Sequence, residues 1–117
     1  MTSKIIYLAS PYTHQSIEVR NERFRAANRA AAKLIKQGHI VYSPITMTHP
    51  IDMLLAEEDG TLGSKFWVDF DEAFMGFCSE IYVLKIAGWD TSSGVKREIE
   101  FFNNSGKPVT YLDPEDQ

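Results

Sequence analysis

Glu98 is the residue of this chain whose type and position most directly suggest chemistry. It follows an apolar run and lies in a stretch, 90–102, where Gly94 marks the start of a helix. When Val95 is set at zero and each residue advances the helix by about 100°, Glu98 falls at roughly 300°, beside the apolar residues. A carboxylate loses hydration there, so Glu98 is either a rim residue whose head reaches water or a functional group.

The residues before Glu98 suit a helix start that binds an anion. Ser92, Ser93 and Gly94 supply hydroxyls, unpaired backbone N–H groups and the positive end of the helix macrodipole. A phosphate or carboxylate would be bound there, but a serine that only caps the helix explains the same residues without a ligand. The pattern is neither a P-loop nor a dinucleotide fingerprint. We therefore expect no nicotinamide and no other cofactor.

Length, charge and residue counts limit the class of protein. A chain of 117 residues with 44% apolar residues is expected to form a single domain over 1–117. The net charge of -4 argues against a nucleic-acid-binding protein, and no apolar run approaches the roughly 20 residues of a membrane span. One cysteine and three histidines without ligand-like spacing predict neither a disulfide framework nor a metal site. We expect a cytoplasmic protein.

Predicted strands and helices alternate along the chain. Short apolar runs predict strands at 4–9, 39–43, 81–84 and 107–112. Helical periodicity predicts helices at 16–37, at 66–77 and from Gly94 onward, while 45–65 is expected to be irregular with a short helical turn at 51–57. This order is typical of the α/β class, with a Rossmann-like, flavodoxin-like, doubly wound parallel sheet of four to five strands.

Ligands of such sheets bind beyond the carboxyl ends of the strands, which places the segments 10–13, 43–49 and 86–94 around one cleft. Candidate ligand contacts in or near this cleft are Ser10, Arg20, His49 and Trp89. Arg20 is included because it lies near the apolar face in the first turns of its helix. His49 has the alternative of a turn histidine, and Trp89 that of a lid over the core or a subunit contact.

Several features together resemble the nucleoside 2-deoxyribosyltransferase superfamily, which also contains the 2′-deoxynucleoside 5′-monophosphate N-glycosidases. They are the run Ile6-Tyr7-Leu8-Ala9-Ser10-Pro11, Asp71 eight residues before Ser79, the Gly88-Trp89 turn, and the spacing of Ser92, Gly94 and Glu98. The resemblance covers nearly the whole chain. It is strongest to the small, mostly uncharacterised bacterial and phage members of that superfamily.

The resemblance implies a role for each matched residue. Glu98 corresponds to the nucleophile that forms a covalent ester with C1′ of the sugar, and Tyr7 to the tyrosine that orients this carboxylate. Asp71 corresponds to the acid that helps the base depart or binds its polar edge, and Ser92 to the serine that binds a 5′-phosphate. The implied activity is cleavage of the N-glycosidic bond of a small nucleotide or nucleoside, by hydrolysis or base exchange.

Two points remain open at this stage. Asp69 flanks the same apolar stripe as Asp71, and only the resemblance favours Asp71. The nucleotide hydrolases carry an arginine just after the first strand, where this chain has none. A nucleotide-binding module without catalysis, regulatory or sequestering, is therefore the alternative to an enzyme. The helix macrodipole is expected to favour the ionised form of Glu98.

A homo-oligomer, dimer or tetramer, is also expected. Phe101 falls at roughly 240° on its helix, away from the apolar residues, where packing between identical subunits would bury it.

Overall fold

Four parallel strands form the sheet in the computed structural model, which describes residues 4–58 and 62–114. The central strands are β1 (Ile5–Ala9) and β3 (Glu80–Leu84), and the edge strands are β2 (Ile40–Tyr42) and β4 (Val109–Leu112). Their order is β2-β1-β3-β4, and every neighbouring pair is parallel. The predicted Rossmann-like, doubly wound α/β fold is confirmed, and each predicted strand segment overlaps an observed strand.

Four helices connect the strands. They are α1 (Ile17–Lys36), α2 (Pro44–Glu57), α3 (Ser64–Met75) and α4 (Ser93–Asn104), and a 3₁₀ turn (Trp89–Thr91) precedes α4. α1 agrees with its prediction because the signals at both ends are local. The Ser16 hydroxyl accepts a hydrogen bond from the N–H of Val19, and Gly38 follows the helix with a φ of 99° that favours glycine.

Two hydrophobic clusters cover the two faces of the sheet. Side chains alternate along β1 and β3, so neighbouring residues of a strand enter different clusters. One cluster joins Tyr7 and Val83 to Phe102 of α4. The other joins Leu8 and Leu84 to the alanine-rich face of α1. Tyr7 is thereby directed to the same side of the sheet as α4.

α2 corrects the expectation that 45–65 is irregular. The helix runs without interruption from Pro44 to Glu57 and includes Pro50 in its interior. Pro44 is compatible with the first turn, where its missing N–H has no helical partner. Pro50 removes one hydrogen bond from the helix. The helix is nevertheless stable because several of its residues are buried, among them His49, which packs against α1. Packing between helices outweighs the local breaking signal.

The strand order reverses between β1 and β3, since the chain continues from β1 to β2 on one side and from β3 to β4 on the other. A gap opens at such a point beyond the carboxyl ends of the two strands. Among the described residues, no helix is both long and apolar enough to cross a bilayer.

Candidate active site

A cavity of about 830 Å³ lies beyond the carboxyl ends of β1 and β3. This cavity, the crevice, is lined by the loop after β1, by the starts of α1 and α4, and by residues of α2 and α3. Its volume is within the range of small-molecule sites. The sequence-predicted residues that line it are Ser10, Arg20, Asp71, Ser92, Ser93, Gly94 and Glu98.

Tyr7 and Glu98 form a buried hydrogen bond at the back of the crevice. The Tyr7 hydroxyl donates to Glu98 Oε2 at 2.6 Å. The Tyr7 side chain is fully buried, and only 7% of Glu98 is exposed. Burial and the adjacent carboxylates of Glu98 and Asp71 raise the pKa of Tyr7 well above 10, so Tyr7 stays a neutral donor. The structure thus brings together the two residues that the resemblance paired.

The start of α4 determines the direction of Glu98. The Ser92 hydroxyl accepts a hydrogen bond from the N–H of Val95 at 3.2 Å and so caps the helix. From this start, Val95, Glu98 and Phe102 follow one another on the buried face of α4. Glu98 therefore lies within the apolar stripe rather than on its rim.

The pKa of Glu98 is raised to about 8, chiefly by burial. The Tyr7 hydrogen bond and the charge of Arg97 act to lower this pKa, and the Asp71 carboxylate acts to raise it. The bias toward ionisation expected from the macrodipole is therefore outweighed by burial near neutral pH. A helix terminus contributes only about 0.3–1 kcal/mol in ordinary settings, whereas full burial shifts the pKa of a carboxyl group by up to about 3–5 units, each equivalent to about 1.4 kcal/mol.

α3 separates the two aspartates that periodicity left equivalent. Asp71 lines the crevice, and its Oδ1 is buried without a hydrogen-bond partner among the described residues. Burial raises the pKa of Asp71 to about 6, against the lowering effect of Arg97. Asp69 instead accepts a hydrogen bond from Lys65 at 3.0 Å on the exposed side of the helix. Asp71 is therefore the aspartate that acts electrostatically on Glu98.

Arg97 is a crevice residue that the sequence analysis missed. Its charge lowers the pKa of both Asp71 and Glu98, and its Nε is buried without a hydrogen-bond partner among the described residues. Helical periodicity puts Arg97 at roughly 200° from Val95, on the solvent side. Its long side chain nevertheless folds back, and Nη2 lies 3.8 Å from where a side chain on Gly94 would begin.

The start of α4 and two arginines of α1 make the crevice suitable for an anion. Capping by Ser92 leaves the N–H groups of Ser93 and Gly94 without partners among the described residues. Arg20 lines the crevice and donates to the carbonyl oxygen of His14. The capping role weighed for serine is thus real, and it leaves free donors for a ligand.

Arg23 also lines the crevice, although it was not among the ligand contacts selected from the sequence. Its guanidinium donates to the carbonyl oxygen of Thr13 at 3.0 Å and to that of Ala87 at 3.3 Å. It thereby connects the loop after β1 to the loop after β3. Gly88, with a φ of 93°, leaves room for it, because a Cβ there would lie 2.6 Å from Arg23 Nη2.

Residues 4–113 match the protein family described as Domain of unknown function (DUF1937). The chain belongs to this family. No curated protein matched the chain significantly. Because the family description names no activity, the function of this DUF1937 domain has to be argued from its side chains.

Two predicted ligand contacts of the DUF1937 domain lie outside the crevice lining. Trp89 packs in the core cluster beside Tyr7, with its ring 5.6 Å from that of Tyr111. This agrees with the alternative of a lid over the core. His49 is buried behind the crevice, where it contacts Tyr12 and Asn21. The His49 ring is buried too deeply to line the crevice. Tyr12, which contacts this ring, lines the crevice instead.

Three further crevice residues of the DUF1937 domain were not selected as ligand contacts. Tyr12 follows β1, Asp52 lies on α2, and Trp67 lies on α3 one turn before Asp71. The spacing of Trp67 and Asp71 puts both on one face of α3, and this was a usable signal. Tyr12 belongs to the segment 10–13 that was expected at the cleft. Asp52 gave no signal, because most of 45–65 was expected to be irregular.

Proposed function

We propose that the protein cleaves the N-glycosidic bond of a (deoxy)nucleoside 5′-monophosphate or a nucleoside through a covalent glycosyl ester on Glu98. The observation that carries the proposal is the buried Tyr7–Glu98 hydrogen bond, which faces the same crevice as Asp71. A pocket that only binds gains nothing from a dehydrated carboxyl group beneath it, because burial of that group is costly. A nucleophile at a sugar carbon requires such a group.

In the first step, a carboxylate oxygen of Glu98 attacks C1′ of the sugar. The C1′–N bond breaks, its electron pair moves to the base nitrogen, and the Asp71 carboxyl donates a proton to the departing base. The products are a glycosyl ester on Glu98, a neutral base and the Asp71 carboxylate. Tyr7 holds Glu98 in place without adding charge, since its pKa lies well above neutrality.

In the second step, water or a second base attacks C1′ from the opposite side to Glu98. The C1′–O bond of the ester breaks, Glu98 returns as a carboxylate, and the attacking group transfers its proton to Asp71. Two inversions retain the configuration of the sugar. The same two carboxyl groups thus serve hydrolysis and base exchange. Which of the two reactions occurs depends on whether water or a second base takes the place of the first base.

The two pKa values are consistent with a pair that holds one proton near neutral pH. Burial raises the pKa of Asp71 to about 6 and that of Glu98 to about 8, so between these values the pair carries one proton, which lies on Glu98 before a ligand binds. The reaction needs that proton on Asp71. Positive charge that develops at C1′ stabilises the ionised form of Glu98, as Arg97 and Tyr7 already do.

The alternative is a nucleotide-binding module without catalysis. The raised pKa of Glu98 favours this alternative, because a protonated carboxyl group is not a nucleophile. Such a module would bind the same ligands and release nothing.

One incubation separates the two proposals. The purified protein is mixed with a panel of nucleoside monophosphates and nucleosides, and free base is measured by chromatography. We expect base release from at least one compound. A 2-fluoro-arabinosyl nucleotide should also add its sugar mass to the peptide that contains Glu98. Binding of a nucleotide without base release from any compound would support the non-catalytic module instead.

We also propose that the protein is a homo-oligomer, a dimer or a tetramer. Apolar side chains remain exposed on the side of α2 and α3, with Leu54 at 58% and Phe77 at 80%. Phe101, on which the sequence expectation rested, is partly buried against the core cluster around Tyr7, so the exposed surface lies elsewhere than expected. Sedimentation at micromolar concentration should give at least twice the monomer mass, and a monomer would contradict the proposal.

A further inference from the structure

A hydrogen-bonded chain fixes the proton positions on one wall of the crevice. His49 Nε2 lies 2.9 Å from Asn21 Oδ1, which only accepts hydrogen bonds, so Nε2 carries the proton. Burial lowers the pKa of His49, and the ring is neutral at physiological pH. Nδ1 is then an acceptor, and the Tyr12 hydroxyl, 2.6 Å away, donates its proton to it.

The Tyr12 oxygen can therefore only accept hydrogen bonds from a ligand. Its proton is committed to His49, and its lone pairs remain on the side of Tyr12 that lines the crevice. Burial and the charge of Asp52 raise the pKa of Tyr12, so the hydroxyl remains neutral.

Asp52 adds a second acceptor to the same wall. Its carboxylate lines the crevice close to Tyr12, and Oδ1 is buried without a hydrogen-bond partner among the described residues. Arg20 is the nearby cation, and its Nη1 is already bound to the carbonyl oxygen of His14. Tyr12 and Asp52 thus form an acceptor wall, to which no side chain in the described part of the chain donates a hydrogen bond.

The crevice also has an apolar surface that suits a flat ring. It is formed by side chains of α2 and α3, namely Ile45, Met53, Trp67 and Val68, and Met53 follows Asp52 of the acceptor wall in α2. The rings of Phe66 and Phe70 pack edge-on against the Trp67 ring, with distances between ring centroids of 5.2 and 5.4 Å. Asp71 is one turn along α3 from Trp67, so a base against Trp67 would have Asp71 near its glycosidic nitrogen.

We propose that the acceptor wall of Tyr12 and Asp52 selects nucleotides whose base carries an amino group, such as cytosine, adenine or guanine, over those with an oxo group or hydrogen at that position. This inference rests on the proposed function, because it assigns the base to the apolar surface of the crevice. An amino group donates to both acceptors, whereas an oxo group brings a third set of lone pairs and leaves the acceptors unpaired.

Matched nucleotide pairs test the proposal. Affinities are measured by calorimetry with the Glu98→Gln variant, which prevents turnover, for dCMP against dUMP, dAMP against dIMP and dGMP against dIMP. We expect the amino member to bind at least about tenfold more tightly in one pair or more, and the oxo or unsubstituted member to win in none. Equal affinities in all three pairs, or preference for the dUMP or dIMP member, would overturn the proposal.

Substitutions in the wall assign the effect to its residues. Asp52→Asn, made in the Glu98→Gln background, introduces a donor and should reduce the preferred ratio at least about fivefold. Tyr12→Phe removes the other acceptor and should reduce it as well. Asp69→Asn, on the exposed side of α3, should leave it unchanged. If neither Asp52→Asn nor Tyr12→Phe changes the ratio, the acceptor wall does not read the base.

The two proposals fail separately. Amino selectivity in binding without base release by the wild type would refute the enzyme and keep the acceptor wall. Base release without amino selectivity would keep the enzyme and refute the wall.

Discussion

The two long walls of the crevice differ in how firmly they are built. α4 packs onto the sheet through Val95 and Phe102, which are almost fully buried, and it presents Glu98 in a defined hydrogen bond. α3 leaves apolar side chains partly in solvent, with Phe66 at 46% and Phe74 at 37% exposed. Covalent chemistry needs a nucleophile held within a fraction of an ångström, and the proposed nucleophile lies on the buried wall. A surface that adapts to different bases is better placed on the less buried wall.

Glu98→Gln breaks the firm wall at its centre and should have the largest effect. The amide keeps the volume and accepts the Tyr7 hydrogen bond, but it cannot form the glycosyl ester. Base release should fall by about three orders of magnitude or more while nucleotide binding persists, as measured by single-turnover kinetics and calorimetry. Glu100→Gln, on the exposed side of the same helix, is the matched control. Wild-type rates in both variants would make Glu98 a structural residue.

Asp71→Asn tests the other wall and should cost about 10²–10⁴-fold in base release, the usual contribution of a general acid. The loss should shrink for a 7-methylguanine nucleotide, whose positively charged base departs without a proton. Asp69→Asn should retain full activity, because that carboxylate pairs with Lys65 away from the crevice. Equal losses for both kinds of leaving group would assign Asp71 to binding rather than proton transfer.

The contribution of the 5′-phosphate to binding affinity tests the role of the start of α4. A nucleoside monophosphate should bind more tightly than its nucleoside by roughly 1.5–3 kcal/mol, the contribution of charge-assisted hydrogen bonds. Arg97→Gln should reduce this difference, and Lys96→Gln, which alters an exposed neighbour, should not. Calorimetry on both ligands gives the difference. Identical affinities of nucleotide and nucleoside would favour a nucleoside substrate.

The pH dependence of stability tests the burial of Glu98. Glu98 has a pKa of about 8 in the folded chain and an ordinary value near 4.5, so the folded state binds more protons between these values. The free energy of unfolding should therefore fall as pH rises from about 5 to about 8, by a few kcal/mol. Asp71 acts in the same direction up to about pH 6. Thermal melts of Glu98→Gln should show a flatter pH profile than wild type, and parallel profiles would contradict the raised pKa.

Local patterns predicted most of the fold. α1 has a serine cap, a continuous apolar face and a terminal glycine, and each of these signals acts within a few residues. α2 was mispredicted because burial against α1 stabilises it. The local sequence around Pro50 carries no signal of that burial. The same reason explains why Asp52, a residue of α2, was missed.

The position of a side chain could be predicted only where the direction of its Cα–Cβ bond determines that position. Glu98 was expected beside the apolar arc and lies within it, because a buried helix face fixes a short path to the crevice. Arg23 and Arg97 were not selected as ligand contacts, yet both residues line the crevice. Their long side chains respond to partners distant in sequence, such as the carbonyl oxygen of Ala87, and no helical angle reports those partners.

The bridge that Arg23 makes between the carbonyl oxygens of Thr13 and Ala87 also affects how ligands enter. The two loops cannot move apart without losing a hydrogen bond to a charged donor, so the mouth of the crevice has a set width before any ligand arrives. Binding then requires little loop ordering, and less of the contact energy is spent on it. Arg23 thereby makes the crevice a preorganised receptor, whose association rates should depend weakly on loop motion.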